Sequence, residues 1–486
     1  MSVNIPSTPD PERYGRPRHP WYLTAERTQD IDELLPVARH HVNRRYGRAA
    51  LGGIKEGDNL LIVTQSDQDP YVLEAIKRAM REQGAVSVEA VSGADLGLEQ
   101  QQYSAADGWR EAVDRLREMT ETGVEYSVEA AAVKRYLKDR PRYSGIHAGE
   151  AGRPHWRRAT GGEIRGNWLF NDYESFISRA NAYPDELFRL ADLKTLDHFG
   201  TASAVRITDP QGTDISWEVT EEQAELWPKG AYLSGHILGS TIQAIRFGYD
   251  VESFLQQAKI FFPTVNGVVA GTSNHTGFFP HIEVHIEGGM IKEVKGGGRY
   301  GEVWREIIDR YKDVQYPGFP YKGWAYFNDC SIGTNPKGHR GIERVWNSSD
   351  PTTNLPERTR AGVIHFGFGA EHWDETFLAY ARENNLPTMH FPHVHCVFPT
   401  FSIKQRGSGE WVNLIEDGRM PLFQDRDMQQ LAETLGGPEL LDYDWIPALP
   451  GINYPGDYFK DYANDPVSWI EREQRGEFAP REGGGS

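Results

Sequence analysis

The strongest constraint on the fold is a concentration of histidines in the C-terminal third of the chain. Residues 361–398 contain five of the sixteen histidines found among 486 residues. Two short apolar runs, residues 363–368 and 393–398, lie on either side of a helix-like segment over residues 374–385. The pattern predicts two strands joined by a helical connection, with histidines on both strands.

The spacing of these histidines indicates a metal site. Side chains two residues apart on a strand point to the same face of a sheet, so His393 and His395 present their imidazoles side by side. His365, on a neighbouring strand, supplies a third imidazole, and three histidines with an open fourth position form a common catalytic metal site. The alternative is that each histidine is an ordinary polar residue on a half-buried strand. His390 is left out of the ligand set because its parity fits neither strand.

Composition narrows the class of protein. The length allows two domains, and 38% hydrophobic with 25% charged residues is typical of a globular protein. The net charge of −18 argues against nucleic acid or an anionic membrane as a partner. No apolar run approaches the roughly 18 residues of a membrane span, and no apolar signal core begins the chain. Because Cys330 and Cys396 are the only cysteines, we expect no disulfide framework and a cytoplasmic location.

The first regular unit predicts an α/β domain. Residues 59–64 form a continuous apolar run, which is typical of a strand buried on both faces, and residues 86–91 read as the returning strand. Between them, Asp69 and Pro70 mark the start of a helix. Such a β–α–β unit builds a parallel sheet, and no glycine-rich phosphate loop follows its first strand.

A second change of character begins near residue 258, where the chain turns to short alternating strands. The predicted fold is therefore an α/β N-terminal domain followed by an α+β C-terminal metal-binding domain with mostly antiparallel strands. In the second domain, His281, Glu283 and His285 alternate along one strand. They form either a second ligand set or the exposed polar positions of an edge hairpin. The predicted divisions are an N-terminal arm and helix (1–50), the α/β domain (51–245), the α+β catalytic domain (246–445) and an extended C-terminal tail (446–486).

Several segments, in this order along the chain, resemble motifs of the aminopeptidase T-like metalloenzymes. Each match alone is weak, but together they span roughly residues 60 to 415. The resemblance implies that family's fold, a homodimer with enclosed active sites, and a metal-dependent activity. The matching segments are VRITDPQGTDISW (205–217), KIFFPTVNGVVAG (259–271), HIEVHIEGGMIKEVKGG (281–297), DCSIGTNP (329–336), IHFGFGAEH (364–372) and HVH (393–395).

The departures from this family change the expected metal site. Its aminopeptidases hold two adjacent metals with two glutamates, a histidine, a tyrosine and an H-x-D pair. At four of these positions this chain has Lys259, Asp329, His372 and His395. A lysine ammonium in place of a bridging carboxylate would repel a second cation at close range. We therefore expect one divalent ion per subunit (Fe, Zn or Mn), held by His365, His393 and His395, with His372 or Asp329 as a fourth ligand.

The favoured function is hydrolysis of a C–N bond in a small molecule. A divalent metal lowers the pKa of a bound water from about 16 to about 7, which provides hydroxide at neutral pH. Asp329, Glu371 or His372 would move protons. Lys259 would stabilise an anionic substrate or intermediate if it faces the metal, and is otherwise a surface lysine beside a strand. The 13 Trp, 22 Tyr and 21 Phe suit an aromatic substrate.

Three other functions remain open at the level of sequence. The first is a non-haem Fe(II) ring-cleaving dioxygenase, since the resemblance extends to 2,5-dihydroxypyridine dioxygenase as well as to the deaminase 5-nitroanthranilate aminohydrolase. The second is a metal-dependent aminopeptidase. The third is a binding or scaffold protein that has kept the fold and lost catalysis. Imidazole ligands do not decide among Zn, Fe and Mn, so metal analysis with and without oxygen is the discriminating experiment.

Overall fold

The structure is a computed structural model that describes most of the chain in fifteen segments. These are residues 8–20, 27–44, 51–64, 68–97, 104–106, 128–140, 143–148, 164–167, 172–225, 241–246, 263–346, 353–370, 375–384, 386 and 392–478.

Strands and helices alternate at first and then give way to long antiparallel pairings. Within the described segments the strands are β1 Asn59–Thr64, β2 Ser87–Ser92, β3 Gly145–Ala148, β4 Ile164–Asn167, β5 Ala202–Thr208, β6 Asp214–Glu218, β7 Thr241–Arg246, β8 Asn266–Ser273, β9 Phe278–Glu287, β10 Met290–Gly296, β11 Phe327–Gly333, β12 Ile364–Phe368, β13 His393–Cys396, β14 Thr400–Gln405 and β15 Trp411–Ile415. The helices are α1 Pro11–Tyr14, α2 Ile31–Asn43, α3 Pro70–Glu82, α4 Val128–Leu137, α5 Tyr173–Ile177, α6 Asp185–Phe199, α7 Gly298–Tyr311, α8 Ile342–Trp346, α9 Glu375–Asn384, α10 Arg426–Leu435 and α11 Pro466–Gln474.

The N-terminal β–α–β prediction is confirmed. Strands β1 and β2 are parallel, and β3 and β4 extend the same sheet in the order β2-β1-β3-β4, which we call the parallel sheet. Helix α3 begins where the sequence predicts, because Asp69 Oδ1 accepts from the backbone N–H groups of Tyr71 and Val72. Leu60 and Ile62 pack with α2 and α3, while Leu61 and Val63 pack on the opposite face.

Two antiparallel sheets form the rest of the described core. A seven-stranded sheet has the order β10-β9-β8-β6-β5-β14-β15, and a four-stranded sheet, which we call the site sheet, has the order β13-β12-β11-β7. One apolar cluster joins residues of both sheets to α6, α7 and α10. The seven-stranded sheet contains strands from both sides of the division predicted at residues 245–246, because β5 pairs with β14 and β6 pairs with β8. Sheet pairing alone does not define domains, so the predicted division into domains stays a prediction.

Two described segments near the ends of the chain lie against each other. The backbone N–H of Asp10 donates to the carbonyl of Ile452 at 2.7 Å, and Arg18 and Ile446 exchange two backbone hydrogen bonds at 2.9 Å. Residues 10–18 of the N-terminal arm thus pack on the segment that follows residue 445. Among the described residues, none of the helices is both long enough and apolar enough to cross a membrane.

The prediction of an extended C-terminal tail is wrong for residues 458–474. Tyr458–Ala463 form one turn of π-helix, and α11 follows directly. Asp465 caps α11 by accepting from the N–H of Ser468 at 3.2 Å, and Pro466 occupies its first turn. Tyr458, Tyr462 and Trp469 of this segment are buried, and Trp469 stacks on Phe478, whereas Phe459 is exposed.

Candidate metal centre

The register of the site sheet brings its polar residues to one face. His365 on β12 lies opposite Ser331 on β11 and His395 on β13. The next position on the same face is Gly367, which lies between Asp329 and His393. Because residues directly opposite one another in a sheet share a face, these side chains project to the same side. Gly367 has no side chain, so β12 itself places no side chain between Asp329 and His393.

The opposite face of the same strands is apolar. Cys330, Phe366, Val394 and Cys396 are fully buried in the large apolar cluster. Burial raises the pKa of both thiols well above its ordinary value, so the cysteines remain protonated. Both cysteines lie on the core side of their strands, so they are not on the face that carries the histidines.

Three side chains on the polar face form a compact donor group. Asp329, His365 and His393 each offer an oxygen or nitrogen atom, and these atoms lie within 4.8 Å of one another. All three are buried. His365 Nε2 lies 2.7 Å from Asp329 Oδ2, and the hydroxyl of Ser331 donates to Asp329 Oδ1 at 3.1 Å. Ligands of a shared zinc-like ion each lie about 2.0–2.2 Å from it, so donors this close need only small adjustments to bind one ion.

His395 occupies the predicted face but has a different partner. Its Nδ1 lies 2.6 Å from Oε1 of Glu357, and both residues are fully buried. Within the described part of the chain, His395 Nε2 has no hydrogen-bond partner. A histidine that donates one ring N–H to a carboxylate leaves its other nitrogen as a lone-pair donor, which is the usual arrangement around protein metals. His395 is therefore oriented for binding, although it lies outside the compact group.

Glu357 is held in its ionised form. Burial alone would raise the pKa of this carboxyl, but Arg340, His395 and Ser273 more than offset that penalty, and the pKa is lowered. The Arg340 Nε–H donates to Glu357 Oε2, and the Ser273 hydroxyl donates to Oε1 at 2.7 Å. An ionised Glu357 accepts the Nδ1–H of His395 and so fixes the tautomer of that ring.

A fourth histidine, His275, enters the site from the turn after β8. Its ring centre lies 4.1 Å from that of His393 and 6.2 Å from those of His365 and His395. Asn274 closes the turn, because its Oδ1 accepts from the N–H and hydroxyl of Thr276 and from the next backbone N–H. The hydrogen-bonded turn places the His275 ring against the metal-ligand candidates.

Tyr300 fixes the backbone beside the donor group. Its hydroxyl accepts from the N–H of His393 at 2.9 Å and donates to the carbonyl of the same residue at 3.0 Å. Asn274 Nδ2 donates to this hydroxyl at 2.9 Å, which joins the His275 turn to β13. Burial raises the pKa of Tyr300, so its hydroxyl stays neutral and acts as a structural bridge.

The remaining predicted site residues do not all enter this description. Lys259, Glu371 and His372 lie outside the described residues, as does His390, and their roles remain predictions. The alternating histidines of β9 have other partners: His285 Nε2 lies 3.0 Å from Oε2 of Glu283, and the His281 ring lies 3.1 Å from the Tyr458 hydroxyl.

Glu357 and His275 were missed from the sequence. Glu357 is 38 residues from His395 and lies in a short 3₁₀ helix, Leu355–Thr359. No periodic sequence pattern predicts this helix or its contact with His395. His275 lies in SNHTG, a segment that contains two residue types common in turns, Asn and Gly. The position of this turn beside β13 cannot be predicted locally, because it depends on close packing of Gly271 against β13. A Cβ at Gly271 would lie 2.6 Å from the carbonyl oxygen of His395.

Comparisons with known proteins give no family assignment. No protein-family model matches the chain, and no curated protein matches its sequence. Among solved structures, the chain is similar to a 2,5-dihydroxypyridine dioxygenase from Pseudomonas putida KT2440, with 12% identity and a TM-score of 0.43 over 80% of this chain and 97% of the dioxygenase. It is also similar to wild-type AmpT from Thermus thermophilus, with 12% identity and a TM-score of 0.40 over 80% of this chain and 99% of AmpT. These values are too low to assign an activity, so a functional argument depends on the site itself.

Proposed function

We propose that this chain is a metal-dependent enzyme that uses one divalent ion bound by Asp329, His365 and His393. The observation that carries the proposal is the buried carboxylate–histidine–histidine group on one face of the site sheet. His395 is proposed as a further ligand through Nε2, as the sequence indicated. His275 is proposed to face the substrate.

The burial of the donor group supports this proposal energetically. A carboxylate removed from water costs several kcal/mol unless charge and hydrogen bonds compensate it. Asp329 has the Ser331 hydroxyl and the His365 ring as partners, and His393 packs beside it. A divalent cation would neutralise the carboxylate and engage the imidazole lone pairs together, so metal binding would stabilise the folded chain.

The reaction that this arrangement supports best is hydrolysis of a C–N bond in a small substrate. When bound to two histidines and one carboxylate, a divalent ion supplies an activated water and a Lewis acid. Close to it, this chain places one further imidazole, His275, that can hold or move a proton. Glu357 orients His395 as a ligand, as a carboxylate commonly orients a metal-bound histidine.

Oxygen-dependent ring cleavage is the second candidate, and one observation favours it. Two histidines and one carboxylate are also the donor set of non-haem Fe(II) oxygenases. The same three residues, Asp329, His365 and His393, would then hold iron. The aromatic-rich composition suits a flat substrate. The resemblance to the aminopeptidase T-like family also brings in 2,5-dihydroxypyridine dioxygenase and 5-nitroanthranilate aminohydrolase, so a hydroxylated pyridine or an aminobenzoate is a reasonable first substrate to assay.

Metal binding is tested with purified, chelator-treated protein titrated with Zn²⁺, Fe²⁺ or Mn²⁺ under anaerobic conditions. We expect one ion per chain, and expect His393→Ala to weaken binding beyond the roughly 10–100-fold cost of losing an outer-sphere partner. His285→Ala is the matched control, because His285 is a partly buried strand histidine bonded to Glu283 in the other antiparallel sheet. Equal affinity of the wild type and His393→Ala would refute the proposed site.

The two reactions separate by their need for oxygen. Aminoacyl anilides, aminobenzoates and dihydroxypyridines are assayed with each metal, in air and anaerobically, while oxygen uptake is recorded. Product formation without oxygen uptake supports hydrolysis. Turnover that requires Fe²⁺ and consumes one O₂ per product supports the dioxygenase. The homodimer expected from the family resemblance is a separate proposal, tested by sedimentation of the full chain.

A further inference from the structure

A chain of buried ionisable side chains leads from the candidate metal centre to segments near both ends of the polypeptide. It begins at His395, whose Nδ1 contacts Glu357, and continues to Arg340, whose Nε–H donates to the other oxygen of Glu357. The Nη1 of Arg340 then donates to Oε2 of Glu473 on α11 at 3.2 Å. Finally, Glu473 Oε1 lies 3.3 Å from Nε2 of His19 in the N-terminal arm.

Arg340 is the central member of this chain. Its guanidinium lies between the Phe278 ring, 5.0 Å from the ring centre, and the Trp445 ring, at 4.9 Å. The two aromatic faces confine the planar group, and its two ends face different carboxylates, Glu357 and Glu473. A planar guanidinium can bridge two carboxylates in this way, whereas the single ammonium of a lysine cannot reproduce the geometry.

Glu473 ties this arginine to the terminal segments. Its side chain is 1% exposed, and its Oε1 also accepts from the backbone N–H of Ala448 at 2.7 Å. Removing one member of such a buried network leaves a charge without compensation, so the members hold one another in fixed positions. The orientation of Glu357 is therefore determined partly by residues more than one hundred positions away in sequence.

We propose that Arg340 and Glu473 are positioning residues, which act through Glu357 to aim His395 Nε2 into the candidate metal centre. The N-terminal arm and α11 are then structural parts of the site and not peripheral extensions. This inference rests on the proposed metal site, and it assigns a role to residues that neither touch the ion nor belong to its donor group.

The test measures Co²⁺ affinity and the visible d–d spectrum of the Co²⁺-loaded full-length protein. Glu473→Gln and Arg340→Lys are compared with the wild type. We expect both to weaken Co²⁺ binding by about 10-fold, as for other outer-sphere partners, and to alter the d–d band because one donor is displaced. Glu471→Gln is the matched control, since this exposed carboxylate lies on the same helix and undergoes the same chemical change. It should retain wild-type affinity and spectrum.

A double-mutant comparison separates positioning from a general loss of stability. In a His395→Gln background, Glu473→Gln should cause no further change in Co²⁺ affinity or spectrum, because the residue through which it acts is gone. An equal additional loss in that background would overturn the proposal, as would wild-type affinity and spectrum in both single variants.

If Arg340→Lys does not fold, His19→Gln replaces it and should weaken Co²⁺ binding by a smaller factor. Failure of the wild type to bind Co²⁺ would refute the metal site itself, whereas wild-type binding with unaffected variants refutes this inference alone.

Discussion

The parallel sheet and the site sheet each have four strands, and β1 is almost entirely buried in the first as β12 is entirely buried in the second, but the buried side chains of the two strands differ. In β1, successive side chains are apolar on both faces: Leu60 and Ile62 on one, Leu61 and Val63 on the other. In β12, apolar residues alternate with His365 and Gly367, and every residue is still buried. From Leu60 to Val63, β1 therefore buries apolar side chains alone, whereas β12 buries the polar imidazole of His365 as well as apolar side chains.

This difference shows where the folded chain buries polar groups at a cost in free energy. An apolar side chain gains about 25 cal/mol for each Å² removed from water, whereas an unpaired polar group loses free energy on burial. From Leu60 to Val63, strand β1 of the parallel sheet follows the first rule on both faces, although the same sheet also buries His147 on β3. The site sheet follows it on the face of Phe366 and departs from it on the face of His365. Departures of this kind are expected at functional sites, and each of the following predictions tests whether the two regions differ in this way.

The largest effect is expected on the apolar face of the site sheet. Phe366 is fully buried with its ring centre 5.9 Å from that of Phe327, so Phe366→Ala should lower the free energy of unfolding by about 3–5 kcal/mol. Ile62→Ala in the parallel sheet should cost about 2–5 kcal/mol for the same reason. Urea unfolding of the metal-free proteins measures both. In each variant, the extra stability gained on adding metal should equal that of the wild type, and a loss of that increment in Ile62→Ala would contradict the separation of the two regions.

The next effect concerns the polar face of the same strand. At a metal concentration of about 100 times Kd, binding should raise the unfolding free energy of the wild type by about 2.7 kcal/mol. His365→Gln should abolish this increment, because it removes an imidazole donor. Its amide can still donate to Asp329, so the metal-free stability should change much less than in Phe366→Ala. Thermal or urea unfolding with and without Zn²⁺ is the measurement. A metal-free loss as large as that of Phe366→Ala would mean that both faces of β12 serve the core.

Acid should weaken the parallel-sheet region through one buried histidine. His41 on α2 is fully buried with its Nε2 3.2 Å from the carbonyl oxygen of Phe176, and burial, with help from Arg44, lowers its pKa to about 3. The folded state therefore stays neutral where the unfolded state, with a pKa near 6.5, takes up a proton. Stability is lost as the pH falls below 6.5, by about 2 kcal/mol at pH 5.

The control for this prediction is His41→Gln, which keeps an amide donor for Phe176 but cannot titrate. The difference in unfolding free energy between wild type and variant should shrink from pH 7 to pH 5, as the wild type loses its advantage. A difference that stays constant over this interval would show that His41 does not respond to acid in this way. Metal-free protein is used, so that loss of metal at low pH does not contribute.

The sequence predicted periodic features and missed pairings between distant segments. The apolar run of β1, the start of α3 and the shared face of His393 and His395 all follow from local rules of period and capping, and the structure has each of them. No local rule joins Glu357 to His395, because the pairing depends on how a short 3₁₀ helix packs beneath β13. The grouping of Asp329 with His365 and His393 similarly required the register of three strands.

The smallest effect concerns the start of α3 in the parallel-sheet region. Asp69 caps this helix, and Asp69→Ala should lower the unfolding free energy by about 1 kcal/mol because two backbone N–H groups lose their acceptor. Asp69→Asn, which keeps an acceptor oxygen, should recover most of the loss. Arg27 lies 3.9 Å from Asp69 with half its side chain exposed, so its contribution is expected to be slight. Urea unfolding with and without Zn²⁺ should give the same small difference. A change in metal affinity in Asp69→Ala would show that the parallel sheet and the site sheet are energetically coupled. The two sheets would then differ only in the side chains that they bury.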